Sequence, residues 1–182
     1  TYLGYPIKEI IKPSDFDDVK HIILPGVGSY GNCINKLKDM LLIDSLLECV
    51  VHRNKFFLGI CVGMQILSTL GQEFELNYGL NIIDGETIKL ETKKLKIPHM
   101  GWSEINIIKD SLLFKNIENK SHFYFVHSYH LDCRDKKVIT SNVDYDQKIT
   151  TSVEYKNCFG VQFHPEKSQR NGLKLLDNFC NL

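Results

Sequence analysis

The sequence predicts an α/β fold: a central mixed, largely parallel sheet with helices on both faces and an antiparallel extension. Two observations point to the parallel part. The apolar runs from Lys20 to Leu24 and from Phe56 to Ile60 are continuous rather than alternating, as in strands buried on both faces, and each empties through glycine into a segment of helical period. A third observation, the close succession of strand-like runs after Ile82, predicts the antiparallel extension.

In chain order, the Lys20 to Leu24 strand is halted by Pro25-Gly26-Val27-Gly28, a tight glycine loop. From Tyr30 to about Arg53 the residues Ile34, Leu37, Leu41, Leu46, Leu47, Val50 and Val51 recur near helical spacing, which predicts two helical pieces meeting around Ile43 and Asp44. The second buried strand, Phe56 to Ile60, runs into Cys61-Val62-Gly63-Met64-Gln65, read as a helix continuing until Gly71 caps it. Six strand-like runs follow: Ile82 to Leu90, Ser103 to Lys109, Phe123 to Tyr129, Val138 to Val143, Ile149 to Tyr155 and Cys158 to Phe163. Asp84-Gly85 and Lys156-Asn157 supply turn signals between them. A last amphipathic helix, about Gln169 to Cys180, is expected to turn Leu173, Leu176 and Phe179 inward.

Composition bounds the function. A chain of 182 residues, 43% hydrophobic and 24% charged, is enough for one domain with an ordinary core. Lys+Arg and Asp+Glu are 22 each, so no net field favours nucleic acid or an anionic membrane. No stretch approaches the ~18 consecutive apolar residues of a membrane span, and the start has neither the basic flank nor the apolar run of a signal peptide. A cytoplasmic location is therefore expected. The six cysteines include no C-x-x-C pair and are read as thiols of a reducing compartment.

Chemistry concentrates around Cys61. In Gly59-Ile60-Cys61-Val62-Gly63 a cysteine stands where a buried strand turns into a helix. Small residues at 59 and 63 permit a strained elbow, the helix N-terminus favours thiolate, and the Val62 N–H points where an oxyanion would develop. The same pentapeptide is compatible with a small cysteine packed at a strand end. The second signal is Gly160-Val161-Gln162-Phe163-His164-Pro165-Glu166, where a strand ends in an imidazole and a carboxylate follows two residues later. A thiol needs a base, and the base needs an acceptor to hold its tautomer. His127 and His130 stand three apart on one apparent strand and so on opposite faces, which argues against a shared metal; no cofactor is called for.

Taken together, Pro25 to Gly28, Gly59 to Gln65 and Phe163 to Glu166 resemble the class I, triad-type glutamine amidotransferases, whose fold is flavodoxin-like. Pro98-His99-Met100-Gly101-Trp102, Tyr124 to Tyr129 and Gln162 to Gln169 are similar, within that class, to the glutaminase subunits of imidazole glycerol phosphate synthases. The resemblance implies that Cys61 attacks the side-chain amide of L-glutamine, that His164 shuttles protons and that Glu166 orients it. Val62, Val27 and Gly28 would supply the oxyanion hole; Gly26, Gln65, Glu73, Ser128 and Tyr129 would hold the substrate. By the same resemblance, His99, Trp102, Tyr124, His127 and Lys167 lie near a synthase (cyclase) subunit that receives ammonia, giving a heterodimer.

The family opens with a strand, a glycine loop and a helix that have no counterpart ahead of Leu3-Gly4. The expectation is a single glutaminase domain, 1–182, lacking the N-terminal strand and helix, with the absent strand belonging beside the one that ends at Cys61. Three other readings stay open on sequence: the glutaminase subunit of a related sugar-modifying amidotransferase in surface-polysaccharide synthesis, a cysteine hydrolase, and a silent regulatory subunit.

Overall fold

A six-stranded sheet carries the fold in a computed structural model of the chain, which describes residues 3–182. Thr1, where the expected missing start would join, lies outside the described residues. Strand β1 (His21–Gly26) leads through the glycine loop to α1 (Tyr30–Asp39), whose first turn is capped by the Ser29 hydroxyl accepting from the Asn32 N–H. Helix α2 (Ile43–Leu47) runs on into a π-helical turn, Glu48–His52. The two pieces are separated at Leu41, not at Ile43 and Asp44, because Leu41 adopts a left-handed φ of 57° that ends α1. Strand β2 (Phe56–Cys61) follows, then α3 (Val62–Gln65).

Helix α3 is a single turn and does not reach Gly71 as expected. The carbonyls of Ile66, Leu67, Ser68 and Thr69 accept instead from N–H groups of the Gly79 to Ile83 loop, which takes them out of any helical ladder. Leu70–Gly71 is strand β3, and Gly71 lies so close to the Tyr30 ring that a Cβ would stand 2.6 Å from it. The remaining strands are β4 (Asn77–Tyr78), β5 (Gly85–Lys89), β6 (His99–Glu104), β7 (Asn106–Ile107), β8 (His122–His127), β9 (Tyr129–Cys133), β10 (Ile139–Tyr145), β11 (Gln147–Tyr155) and β12 (Cys158–Val161); α4 (Gln169–Cys180) ends the chain.

The main sheet has the order β1-β2-β12-β11-β10-β7, with β1, β2 and β12 parallel and the other pairings antiparallel. A smaller sheet, β4-β3-β5-β9, and a two-stranded ribbon, β6-β8, form the extension. Both flanks of β2 are occupied, by β1 and β12, so the position expected for an absent strand beside the Cys61 strand is filled; the outer strand of the described sheet is β1, whose Pro25 suits an edge.

Helices cover both faces. A Cβ on Gly160 would press on Met64 of α3, while its neighbour Phe159 meets Phe179 of α4 edge-on at 6.1 Å; successive residues of a strand point to opposite sides. In α4 the buried apolar residues are Leu175 and Phe179, with Leu176 half-buried against the core and Leu173 half-buried. The inward stripe is rotated from the one expected because Gly172 sits on the Pro165 carbonyl, which brings Leu175 rather than Leu173 over the sheet.

Candidate active site

Three parallel strands end side by side. Gly26 is the register partner of Cys61, and Val161 the partner of Ile60, so the glycine loop, the cysteine and the residues after β12 share the carboxyl edge of the sheet, where open α/β sheets hold their ligands.

Cys61 has φ 54° and ψ −111°, a conformation that costs a residue with a side chain ~1 to 3 kcal/mol. The elbow persists because its neighbours are glycines. A Cβ on Gly59 would stand 2.3 Å from the Gly63 carbonyl, and one on Gly63 would stand 2.1 Å from the Leu24 carbonyl. The chain therefore packs α3 directly onto β1 and β2. Beside it, Gly28 has φ +96° with open space around it, and Val27 is 86% exposed at the tip of the loop.

His164 begins a 3-10 turn, Pro165–Lys167, and is clamped from behind. Its N–H donates to the Tyr124 carbonyl at 2.9 Å, and the Ser168 hydroxyl donates to its carbonyl at 2.6 Å while accepting from the Tyr124 N–H at 3.0 Å. The Nδ1–H donates to Glu166 Oε1 at 2.8 Å. The buried Nε2 has no hydrogen-bond partner among the described residues. Cys61 is the first cause, and Glu166 the second, that raises the His164 pKa to about 9 against the opposing effect of burial. Burial pushes the Glu166 carboxyl up, but the bond from His164, its own N–H and the nearby positive charges together hold it below the usual carboxylate range.

Cys61 is also touched by a group the sequence reading gave no role. Gln162 Nε2 donates to Cys61 Sγ at 3.6 Å, and Gln162 Oε1 accepts from Gln65 Nε2 at 3.0 Å. The other Gln65 N–H goes to the Tyr129 carbonyl at 2.8 Å, leaving the Gln65 amide oxygen without a hydrogen bond among the described residues. The same carbonyl accepts from His127 Nδ1 at 2.9 Å; His127 Nε2 lies 3.1 Å from His99 Nδ1, and His99 Nε2 lies 2.8 Å from the Ser103 hydroxyl. Burial lowers His99 to about 4 and His127 to about 3, so both rings are neutral at pH 7.

The other sequence-selected residues surround this centre. Glu73 Oε2 accepts from the Tyr30 N–H at 2.7 Å, next to the glycine loop at the start of α1. The apparent strand through His127 and His130 breaks at Ser128, whose carbonyl accepts from Leu90 N–H, and His127 pairs with His99 rather than His130. Trp102 is paired with Tyr124 across β6 and β8, ring to edge at 6.0 Å, and Lys167 Nζ lies 5.9 Å over the Tyr124 ring. Trp102 and Met100 stand exposed on that ribbon. Among the described residues no group of three or more histidine, cysteine or carboxylate side chains could hold a metal ion, and no helix is long and apolar enough to cross a membrane.

Gln162 and Ser168 are the residues contacting this centre that sequence reasoning gave no role. Both lie within Gln162 to Gln169, and the one signal available for Gln162 is its place two residues before His164 in the run read from sequence as a strand, a spacing that sets two side chains on one side.

A cysteine on a strand-to-helix elbow, with an imidazole and a carboxylate on the neighbouring strand edge, defines a class of acyl-transfer site, and sequence comparison agrees. The chain belongs to the class-I glutamine amidotransferase family, whose model matches residues 3–181. Within that family it is 48% identical over 164 residues to the imidazole glycerol phosphate synthase subunit HisH of Pelagibacter ubique, covering 88% of this chain and 79% of that protein. It is 43% identical over 171 residues to the subunit of the same name from Pyrococcus furiosus, covering 93% and 86%. Among solved structures, one titled as a glutamine amidotransferase aligns with TM-score 0.75 at 15% identity over 98% of this chain and 89% of that one, which is a likeness of fold.

Proposed function

We propose that this chain is the glutamine-hydrolysing subunit of an imidazole glycerol phosphate synthase, acting in histidine biosynthesis. The observation that supports the chemistry is that β12, which leads into His164, lies beside the strand ending at Cys61, while His164 Nδ1 donates to Glu166 at 2.8 Å and its buried Nε2 has no partner among the described residues. In this reading the Cys61 sulfur attacks the side-chain amide carbon of glutamine and His164 delivers a proton to the departing nitrogen. Ammonia leaves, and a water activated by the same imidazole cleaves the glutamyl thioester to glutamate and free thiol. Glu166 fixes the imidazole and balances its charge.

The N–H of Val62 and a donor from Val27-Gly28 would stabilise the oxyanion; losing one such donor costs ~3 to 4 kcal/mol of barrier. Gly26, Glu73, Ser128 and Tyr129 would bind the polar end of the substrate, with Gln65 contributing its unengaged amide oxygen. The exposed ribbon bearing Met100 and Trp102, with Tyr124, Lys167 and the buried His99 and His127 behind it, is our choice for the face that meets a cyclase subunit and passes ammonia to it in the cytoplasm. Glutamate release by the chain co-purified with its synthase, compared with Cys61→Ala in the same complex, tests this. Loss of glutamate formation with retained ammonia-driven synthesis is expected. Glutamine-independent hydrolysis of peptides, or a sugar-modifying partner in the purified complex, would replace the reading.

A further inference from the structure

A single file of buried and half-buried hydrogen bonds joins Ser103 to the nucleophile, and its polarity is determined at every link. A backbone carbonyl can only accept, so Tyr129 oxygen requires a proton on His127 Nδ1, which leaves His127 Nε2 as an acceptor. His99 Nδ1 must then donate and His99 Nε2 must accept, from the Ser103 hydroxyl. On the other side the same carbonyl requires the amino end of Gln65, whose second N–H requires the oxygen end of Gln162. The one arrangement left turns the Gln162 amino group toward Cys61 Sγ. A free amide next to sulfur could present either end; this one is committed to the donor end, the end that stabilises a thiolate and follows the sulfur through thioester formation. Gln162 is fully buried and Gln65 is 2% exposed, so the bond between their amides is shielded from bulk water.

We propose that Gln162 and Gln65 are positioning residues for the Cys61 thiolate, and that His127 and His99 hold the Tyr129 carbonyl from which their orientation is set. The proposal deepens the glutaminase reading and rests on it for its kinetic arm only. It also accounts for two histidines kept buried and neutral: each supplies one donor and one acceptor to the file, and a protonated ring would offer two donors and reverse it.

The test measures, for wild type and variants in the synthase complex, kcat and KM for glutamine, and separately the rate at which iodoacetamide labels the Cys61 peptide, with Cys61→Ala as blank. Gln162→Leu should lower both kcat and labelling rate by roughly 10- to 100-fold, the worth of one bond to a charged group, with KM within about twofold. Gln162→Met, which keeps an unbranched side chain of similar length and has no donor to offer, should do the same and covers the case in which the leucine variant fails to fold. Combined with His127→Phe, either change should give little more loss than the larger single effect, whereas independent structural defects would multiply. Unchanged labelling and kcat in folded Gln162→Leu and Gln162→Met overturn the proposal. Absent glutamine turnover in wild type sinks the glutaminase reading instead, and the labelling arm still decides the role of Gln162.

Discussion

Cys61 differs from the other cysteines by where it stands. Burial pushes the Cys33 thiol to about 11 and those of Cys133 and Cys158 to about 12, with no base placed to draw their protons. Cys61→Ala should therefore abolish glutamine hydrolysis with an unchanged melting midpoint, and Cys158→Ala should leave kcat within about twofold once corrected for folded fraction; a glutamate assay with circular dichroism checks both. His164→Ala should lower kcat by about 100- to 10,000-fold, the usual worth of a general acid–base, and Glu166→Gln by less, because it removes orientation and charge while leaving the proton carrier. At this scale the sequence was most legible where residue type alone names a chemistry. Cys61, His164 and Glu166 could be singled out as candidates from an elbow and a strand end. Gln162 could not, because an amide is equally at home as a spacer, and its role appears only once Gln65 and Tyr129 are brought beside it from other elements.

Among the elements, two glycines make opposite predictions. Gly63→Ala sets a methyl 2.1 Å from a backbone carbonyl, so β1 and α3 must part. It should cost about 1 to 3 kcal/mol of stability or more and misplace the thiol. Gly28→Ala meets open space but a φ of +96°, and should cost about 1 kcal/mol while lowering kcat through the oxyanion loop. Urea titrations beside glutaminase assays separate the two. Strand β2 was legible because its apolar run is unbroken and buried, and α4 because its period is clean; β1, read as buried on both faces, is the outer strand of the described sheet and leaves Ile23 41% exposed. The expected helix from Val62 to Gly71 failed for a reason no local pattern holds. Its carbonyls are claimed by N–H groups from Gly79 to Ile83, a loop whose approach is a tertiary event. The shift of the α4 stripe has the same origin in the contact of Gly172 with Pro165.

For the whole molecule, the buried groups set a pH window. His164 is raised to about 9 in the fold, so its contribution to stability is complete below the unfolded value of about 6.5 and is lost as pH climbs through 9. His99 and His127 are lowered, so theirs is present above about 6.5 and is lost as pH falls toward 4 and 3. Stability should peak near pH 6.5; in thermal melts His164→Ala should flatten the alkaline limb and leave the acid limb in place. Activity should depend on the assembly as well. We expect the chain alone to turn over glutamine slowly and a synthase partner with its acceptor to raise the rate by orders of magnitude, the glycine loop being held productive only in the complex. Full activity of the purified chain would rule that out. The fold class was readable at this scale because apolar runs alternating with helical period mark a parallel sheet, whereas the pairing of His99 with His127 depends on register across a ribbon that sequence does not announce.

The register of the three parallel strands also has a consequence in time. The Gly26 loop and the Cys61 elbow are contributed early in the chain, but the base and its carboxylate arrive only after β12, within the last stretch before α4. A polypeptide still leaving the ribosome carries the thiol without its proton acceptor, and a truncated product carries it for good. Such species would be chemically quiet toward glutamine, so the cell's nitrogen store is exposed to this nucleophile only from molecules in which β12 and the turn after it have already been made.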